Sequence, residues 1–241
     1  MNILIPMAGA NQRFKAAGYS EIKPLINMAG KPMIQWAVET LGLEGNYIFI
    51  LNSNNGETDV LKRLLRRITN NPTIIEIDYL TQGPASTCLL AKEFINNNEP
   101  LLIANCDQIM EWDSSKFQQA ITDFPYDGLV VTYPSSTNKN SYVRLDEDEF
   151  AVEFAEKKVI SNYSLNGIHF WKNGSDFVMS AERMIAKGLK TNNEYYISTS
   201  FNELLLEGKK IITYHIHETA HWAVGTPEDL KYYMELHYGY S

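Results

Sequence analysis

The chain has 241 residues, 44% of them apolar and 21% charged, an ordinary globular composition. A chain of this length buries roughly 70 to 75% of its unfolded surface. A formal charge of −8 argues against a general affinity for nucleic acid, because binding to a phosphate backbone needs a basic surface that displaces counterions. No apolar run approaches the ~20 residues that a membrane span requires, and no basic leader with an apolar segment opens the sequence, so a cytoplasmic protein is expected.

In chain order, Ile3-Leu4-Ile5 reads as a first strand running into Met7-Ala8-Gly9-Ala10-Asn11, followed by Arg13 and then Lys23-Pro24. Small residues at Ala8, Gly9 and Ala10 let main-chain N–H groups come close to a polyphosphate. Arg13 offers a planar fork for phosphate oxygens and Lys23 a compact point charge, so the stretch points to chemistry on phosphate. It is neither of the two commonest phosphate fingerprints: Gly9 alone cannot supply the three glycines of a dinucleotide-binding turn, and no Gly-Lys-Ser/Thr follows. Residues 33–41 have apolar positions at helical spacing and stop near Gly42. A buried strand is expected over 47–51, a Leu- and Arg-rich segment spans 59–68, and a second strand is expected over 74–80. After Gln82-Gly83-Pro84-Ala85, a helix is expected over 86–95 and a strand over 101–104, ending at Asn105-Cys106-Asp107.

Short apolar runs alternating with helical patterns are the grammar of a mostly parallel sheet covered by helices on both faces. Beyond residue 110 the pattern changes to antiparallel-looking β structure. Strands are expected over 128–133 and 167–171, a hairpin joins 142–145 to 152–155 across the acidic turn Asp146-Glu147-Asp148-Glu149, and helices are expected over 176–187 and 197–206. No linker or repeat separates the halves. We therefore expect one domain over 1–241, with a nucleotide-binding half at 1–110 and an acceptor-binding half at 111–241. Cys88 and Cys106, far apart in apolar contexts, fit a structural role rather than zinc or a disulfide.

Asp107 is the strongest single candidate after the first loop. Ligands of open α/β sheets gather at the carboxyl ends of strands, and a carboxylate there suits magnesium, which bridges one or two carboxylates to substrate phosphates. An aspartate in that place can instead simply cap the following turn.

Taken together, Ala8-Gly9, Arg13, Lys23-Pro24 and Gly30-Lys31-Pro32-Met33-Ile34, in that order, resemble the signature of the sugar-1-phosphate nucleotidyltransferases. The family loop usually carries a second glycine where Asn11 stands, a residue that tolerates left-handed backbone. The resemblance runs from Ile3 to Leu230. It implies a Rossmann-like GT-A fold with a small antiparallel acceptor-binding part, and transfer of a nucleotidyl group from a nucleoside triphosphate to a phosphorylated sugar or related small molecule, with Mg²⁺ as cofactor and pyrophosphate released. Self-association is left open. Residue by residue, the resemblance implies Arg13 and Lys23 on the phosphates, Asp107 on the metal, Lys157 of Glu156-Lys157 on the acceptor phosphate, and Asn166, Gly167 and Glu194 on the acceptor. Lys158 stands where the family has a proline, and two adjacent lysines can also form a solvated face.

Gln82 and Gly83 match the position that reads the base, and an amide that donates and accepts at once suits a pyrimidine edge. The closing motif Gly225-Thr226-Pro227-Glu228-Asp229-Leu230 also matches, but Ala223 stands where the family has a second metal-binding aspartate. Either Asp107, phosphates and water suffice, or Glu218 or Asp229 substitutes. His215, His217 and His221 nearby read as one face of a strand rather than a metal site. Two other readings remain: a GT-A glycosyltransferase, which typically has Asp-x-Asp where this chain has Asp107-Gln108-Ile109, and a catalytically silent nucleotide-sensing subunit.

Overall fold

The computed structural model describes residues 1–239. The first strand, β1 (Asn2–Met7), leads through a short loop into the one-turn helix α1 (Gln12–Ala16). A small ribbon, β2 (Asn27–Met28) with β3 (Lys31–Pro32), precedes helix α2 (Met33–Leu41), which ends at Gly42 in the left-handed conformation (φ 63°) that glycine adopts without a Cβ penalty. Strand β4 (Asn46–Asn52), helix α3 (Thr58–Ile68) and strand β5 (Thr73–Ile77) follow. β1 pairs in parallel with β4, and β4 with β5.

The expected strand over 74–80 stops at Ile77. Side chains from the end of β4 explain it: Ser53 Oγ donates to the Ile77 carbonyl at 3.1 Å, Asn54 Nδ2 to that of Asp78, and Asn52 Nδ2 to that of Tyr79 at 3.1 Å. Carbonyls that would have continued a ladder are satisfied by side chains, so the chain turns without leaving them bare.

The helix expected over 86–95 is two pieces, α4 (Pro84–Cys88) and α5 (Lys92–Ile95), joined by a 3₁₀ turn over Leu89–Ala91. Strand β6 (Leu101–Ile103) then returns to the other side of β1, again in parallel. The run β6–β1–β4–β5 is thus parallel, and the chain direction of the winding reverses between β1 and β6. That is the switch point where open α/β sheets bind ligands, outside the carboxyl ends of the strands.

The second half comprises β7 (Gln108–Met110), α6 (Ser114–Ile121), β8 (Gly128–Pro134), β9 (Ser141–Leu145), β10 (Ala151–Glu156), β11 (Tyr163–Trp171), α7 (Gly174–Ala186), α8 (Ile197–Leu206), β12 (Ile211–His215), β13 (His221–Ala223) and α9 (Pro227–Tyr238). β11 joins the halves, running antiparallel to β6 and to β8 with a bulge between Leu165 and His169. The hairpin β9–β10 extends the same sheet, whereas β12 lies parallel to β8, so this half is not purely antiparallel. The ribbon β7–β13 stands apart from the main sheet.

Alternation along the central strands supplies both cores. Ile3, Ile5, Phe49, Leu51, Leu102 and Ala104 pack on one face, while Leu4, Ile48, Ile50, Leu101 and Ile103 pack on the other. No helix among the described residues is long and apolar enough to cross a membrane. Cys88 and Cys106 are buried free thiols.

Candidate active site

A cleft of about 580 Å³ opens over the carboxyl ends of β1, β4 and β6. Its floor is the loop after β1, where Met7, Ala8, Gly9, Ala10 and Asn11 all line it, together with Arg13 and Lys23. Asn11 takes the left-handed conformation (φ 58°, ψ 22°). Two asparagines that sequence patterns did not single out hold the loop by its carbonyls: Asn55 Nδ2 donates to the Gly9 carbonyl at 2.8 Å and Asn52 Nδ2 to that of Ala8 at 3.4 Å. The main-chain N–H groups from Gly9 to Phe14 have no protein acceptor among the described residues, so they remain to bind something else.

Gly9 itself has room to spare. A Cβ built there meets nothing within 4 Å and its φ is not positive, so the fold does not demand glycine; the space belongs to whatever enters the cleft.

Lys23, in the 3₁₀ turn Lys23–Leu25, forms an ion pair with Asp107, which follows β6. Both side chains are about three-quarters shielded, at 24% and 23% exposure. Burial alone would lower the lysine pKa, but the Asp107 charge and hydrogen bond outweigh it and leave the ammonium held above its usual value. Gly225 closes over this pair: a Cβ there would overlap the Asp107 carboxylate and lie 3.5 Å from Lys23 Nζ. Arg13 forms no ion pair among the described residues, leaving its guanidinium free to meet an anion. Cys106 lines the cleft beside Lys23, but burial pushes its thiol up to about 11, which keeps it protonated and a poor nucleophile.

Toward the acceptor half, Glu194 lines the cleft and accepts a hydrogen bond from the Tyr196 hydroxyl at 2.7 Å. Lys157, left-handed at φ 55°, places Nζ over the Tyr196 ring, 5.4 Å from its centre. It therefore approaches the site through Tyr196 and is not part of the lining. Glu156 is buried, and burial raises its carboxyl pKa, partly opposed by hydrogen bonds from Ser141 and Ser198.

Of four further candidates, Gly83 lines the cleft, and Gln82, Asn166 and Gly167 do not. The Gln82 side chain is exposed and outside the cleft lining; its carbonyl accepts from Tyr195 N–H at 2.9 Å, so what this residue contributes is a main-chain tie. Gly83 does line the cleft, yet its glycine is explained by φ 124° and by Tyr195 N, 2.5 Å from a built Cβ. Asn166 is buried, with Oδ1 accepting from Ile168 N–H at 2.9 Å and Nδ2 facing Met110 Sδ at 3.6 Å, so its side chain is engaged inside the protein. Gly167, at φ 98°, makes room for the Asn105 amide.

Neither proposed stand-in for the missing metal ligand joins Asp107. Asp229 accepts from the Thr226 hydroxyl at 2.7 Å at the start of α9, and neither it nor Glu218 lines the cleft. Among the described residues no group of three or more His, Cys, Asp or Glu could hold a metal ion. His215 bonds Thr132 at 2.7 Å, and His221 lies against Tyr133 with the rings tilted 39° apart, where burial drops its pKa to about 4 against the opposing pull of Asp107.

A family model described as nucleotidyl transferase matches residues 4–237. Among solved structures, the chain is similar to a nucleoside-diphosphate-sugar pyrophosphorylase from Vibrio cholerae RC9, with a TM-score of 0.85 at 20% identity over 97% of this chain and 99% of that one. It is also similar to a UDP-glucose pyrophosphorylase in complex with UDP-glucose, with a TM-score of 0.76 at 18% identity over 99% and 98%. For the inositol-1-phosphate CTP transferase of T. maritima the TM-score is 0.75 at 13% identity over 100% and 97%. With a loop of open main-chain N–H groups, two cations and a strand-end carboxylate meeting in one cleft, and a family match over residues 4–237, this chain belongs to the nucleotidyl transferase family.

Proposed function

We propose that the protein joins a pyrimidine nucleoside triphosphate to a sugar 1-phosphate and releases pyrophosphate. The observation that carries the reading is the meeting of Lys23 and Asp107, 84 residues apart, beside the unsatisfied N–H groups of the loop after β1. An acceptor phosphate oxygen attacks the α-phosphorus, a new P–O bond forms as the bond to pyrophosphate breaks, and no enzyme nucleophile is required. The loop N–H groups and Arg13 hold the outer phosphates. Lys23 neutralises charge at the reacting phosphate, and Lys157 with Glu194 receives the acceptor.

Magnesium fits the donor set in one form. Asp107 supplies a single hard oxygen ligand, Ala223 supplies none, and Mg²⁺ is commonly held by one carboxylate plus substrate phosphates and waters. Asp107 would hold it there, and the ion would neutralise phosphate charge.

The pyrimidine preference is supported by the UDP-glucose and CTP named for two of the similar structures. The test is pyrophosphate release from each common triphosphate in turn, with a panel of sugar 1-phosphates. Release that requires both substrates and favours UTP, CTP or dTTP supports the reading; a clear preference for ATP or GTP overturns the choice of base, and acceptor-independent release overturns the reaction.

A further inference from the structure

Asn105 is a polar side chain of the cleft lining, just beyond β6, that the reading above leaves without a task. It follows β6, lines the cleft, is exposed, and makes no hydrogen bond with any described residue. Its position is nevertheless fixed from behind. A Cβ built on Gly167 would overlap Asn105 Nδ2 and stand 2.8 Å from its Cγ, and Gly167 has φ 98°, so glycine there keeps open the space the amide occupies. The amide packs against Gly167 on one side and opens to the cleft on the other, so its donor and its acceptor are both free to bond what enters there.

The sheet order says which part of the ligand. The strands run β11–β6–β1–β4–β5; the asparagines that brace the phosphate loop come from the far end of β4, whereas Asn105 lies on the opposite flank of β1, against β11. Triphosphate charge is met by Arg13, Lys23 and the loop. An uncharged amide that can both donate and accept matches a hydroxyl group rather than a phosphate.

We infer that Asn105 is a specificity-determining residue for the acceptor, hydrogen-bonding a hydroxyl of the sugar ring, with Gly167 as the residue that positions it. The inference rests on the nucleotidyl-transfer reading above and names its acceptor contact.

The test is calorimetric binding of UDP-glucose, dTDP-glucose, CDP-glucose, ADP-glucose and GDP-mannose, and of the matching triphosphates, to the wild type and to Asn105→Ala and Asn105→Leu. Losing one hydrogen bond to a neutral partner corresponds to roughly a tenfold weakening. Both variants should therefore bind the preferred nucleotide sugar about tenfold more weakly, bind the triphosphate unchanged, and melt at the wild-type temperature. Gly167→Ala should weaken the nucleotide sugar too, with no further loss when combined with Asn105→Ala. If the wild type binds a nucleotide sugar and the Asn105 variants bind it equally well, or lose the triphosphate in parallel, the role of Asn105 is wrong while the reaction stands. If the wild type binds triphosphates but no nucleotide sugar, the reaction and this inference fall together.

Discussion

The Lys23 ammonium and the Asp107 carboxylate form an ion pair across 84 residues of sequence, joining the turn after α1 to the end of β6 with Gly225 packed over them. The carboxylate holds the ammonium charged and in place in the absence of substrate, so the site is electrostatically organised before a triphosphate arrives.

Lys23→Ala should leave the fold intact and lower turnover by roughly 10²-fold or more, because charge lost at the reacting phosphate is felt in the transition state. Steady-state kinetics and a thermal melt check this together. A folded variant with wild-type kcat would remove Lys23 from the mechanism.

Two glycines of the cleft should behave oppositely on gaining a methyl group. Gly9→Ala meets no protein atom, so its melting temperature should be unchanged or slightly raised, while KM for the triphosphate increases. Gly225→Ala overlaps Asp107 and should lower kcat by disturbing the pair. Equal effects of the two substitutions on triphosphate KM and on melting temperature would contradict this assignment of their roles.

Gln82→Ala should change discrimination among nucleotides by less than twofold, since its side chain points to solvent and its contribution is the carbonyl tie to Tyr195. kcat/KM ratios across the four common triphosphates measure it, and loss of base selectivity would return Gln82 to the binding site.

What the sequence made legible follows from how local each signal is. The loop from Met7 to Asn11, the cations Arg13 and Lys23 and the carboxylate Asp107 declare themselves because residue type and short spacing carry the chemistry, and all of them line one cleft. Central strands are equally clear because apolar alternation serves the two faces of one sheet. The ribbon β7–β13 is hidden, since three-residue strands carry no period and exist only through pairing across 108 to 223. Gln82 misled for a similar reason: a turn residue's side-chain direction is set by a distant main-chain bond to Tyr195. Asn52 and Asn55 carry no local signal, and their part in holding the loop emerges only when the fold brings them against the Ala8 and Gly9 carbonyls.

Acid should destabilise the protein through a residue remote from the chemistry. His169 is fully enclosed, with neither ring nitrogen hydrogen-bonded, and burial takes its pKa from 6.5 down to about 4. The folded value lies below the unfolded one, so the neutral ring contributes stability that is complete above pH 6.5 and is lost as pH falls toward 4, by up to about 3 kcal/mol. His221 acts with the same sign. Melting temperature should fall through this window, and His169→Phe should flatten part of that fall without loss of stability at pH 7. An acid limb identical to the wild type would show that His169 does not titrate on unfolding.

The central claim is that the α-phosphorus of a triphosphate is transferred to an acceptor phosphate. The direct measurement is to follow α-³²P-labelled triphosphate with sugar 1-phosphate and excess Mg²⁺, quantifying labelled nucleotide sugar and pyrophosphate in the same samples. One-to-one appearance of the two products, with re-formation of labelled triphosphate on adding pyrophosphate, is the result predicted. Label recovered as free nucleoside monophosphate, or an enzyme that only consumes nucleotide sugar and releases nucleoside diphosphate, would contradict it.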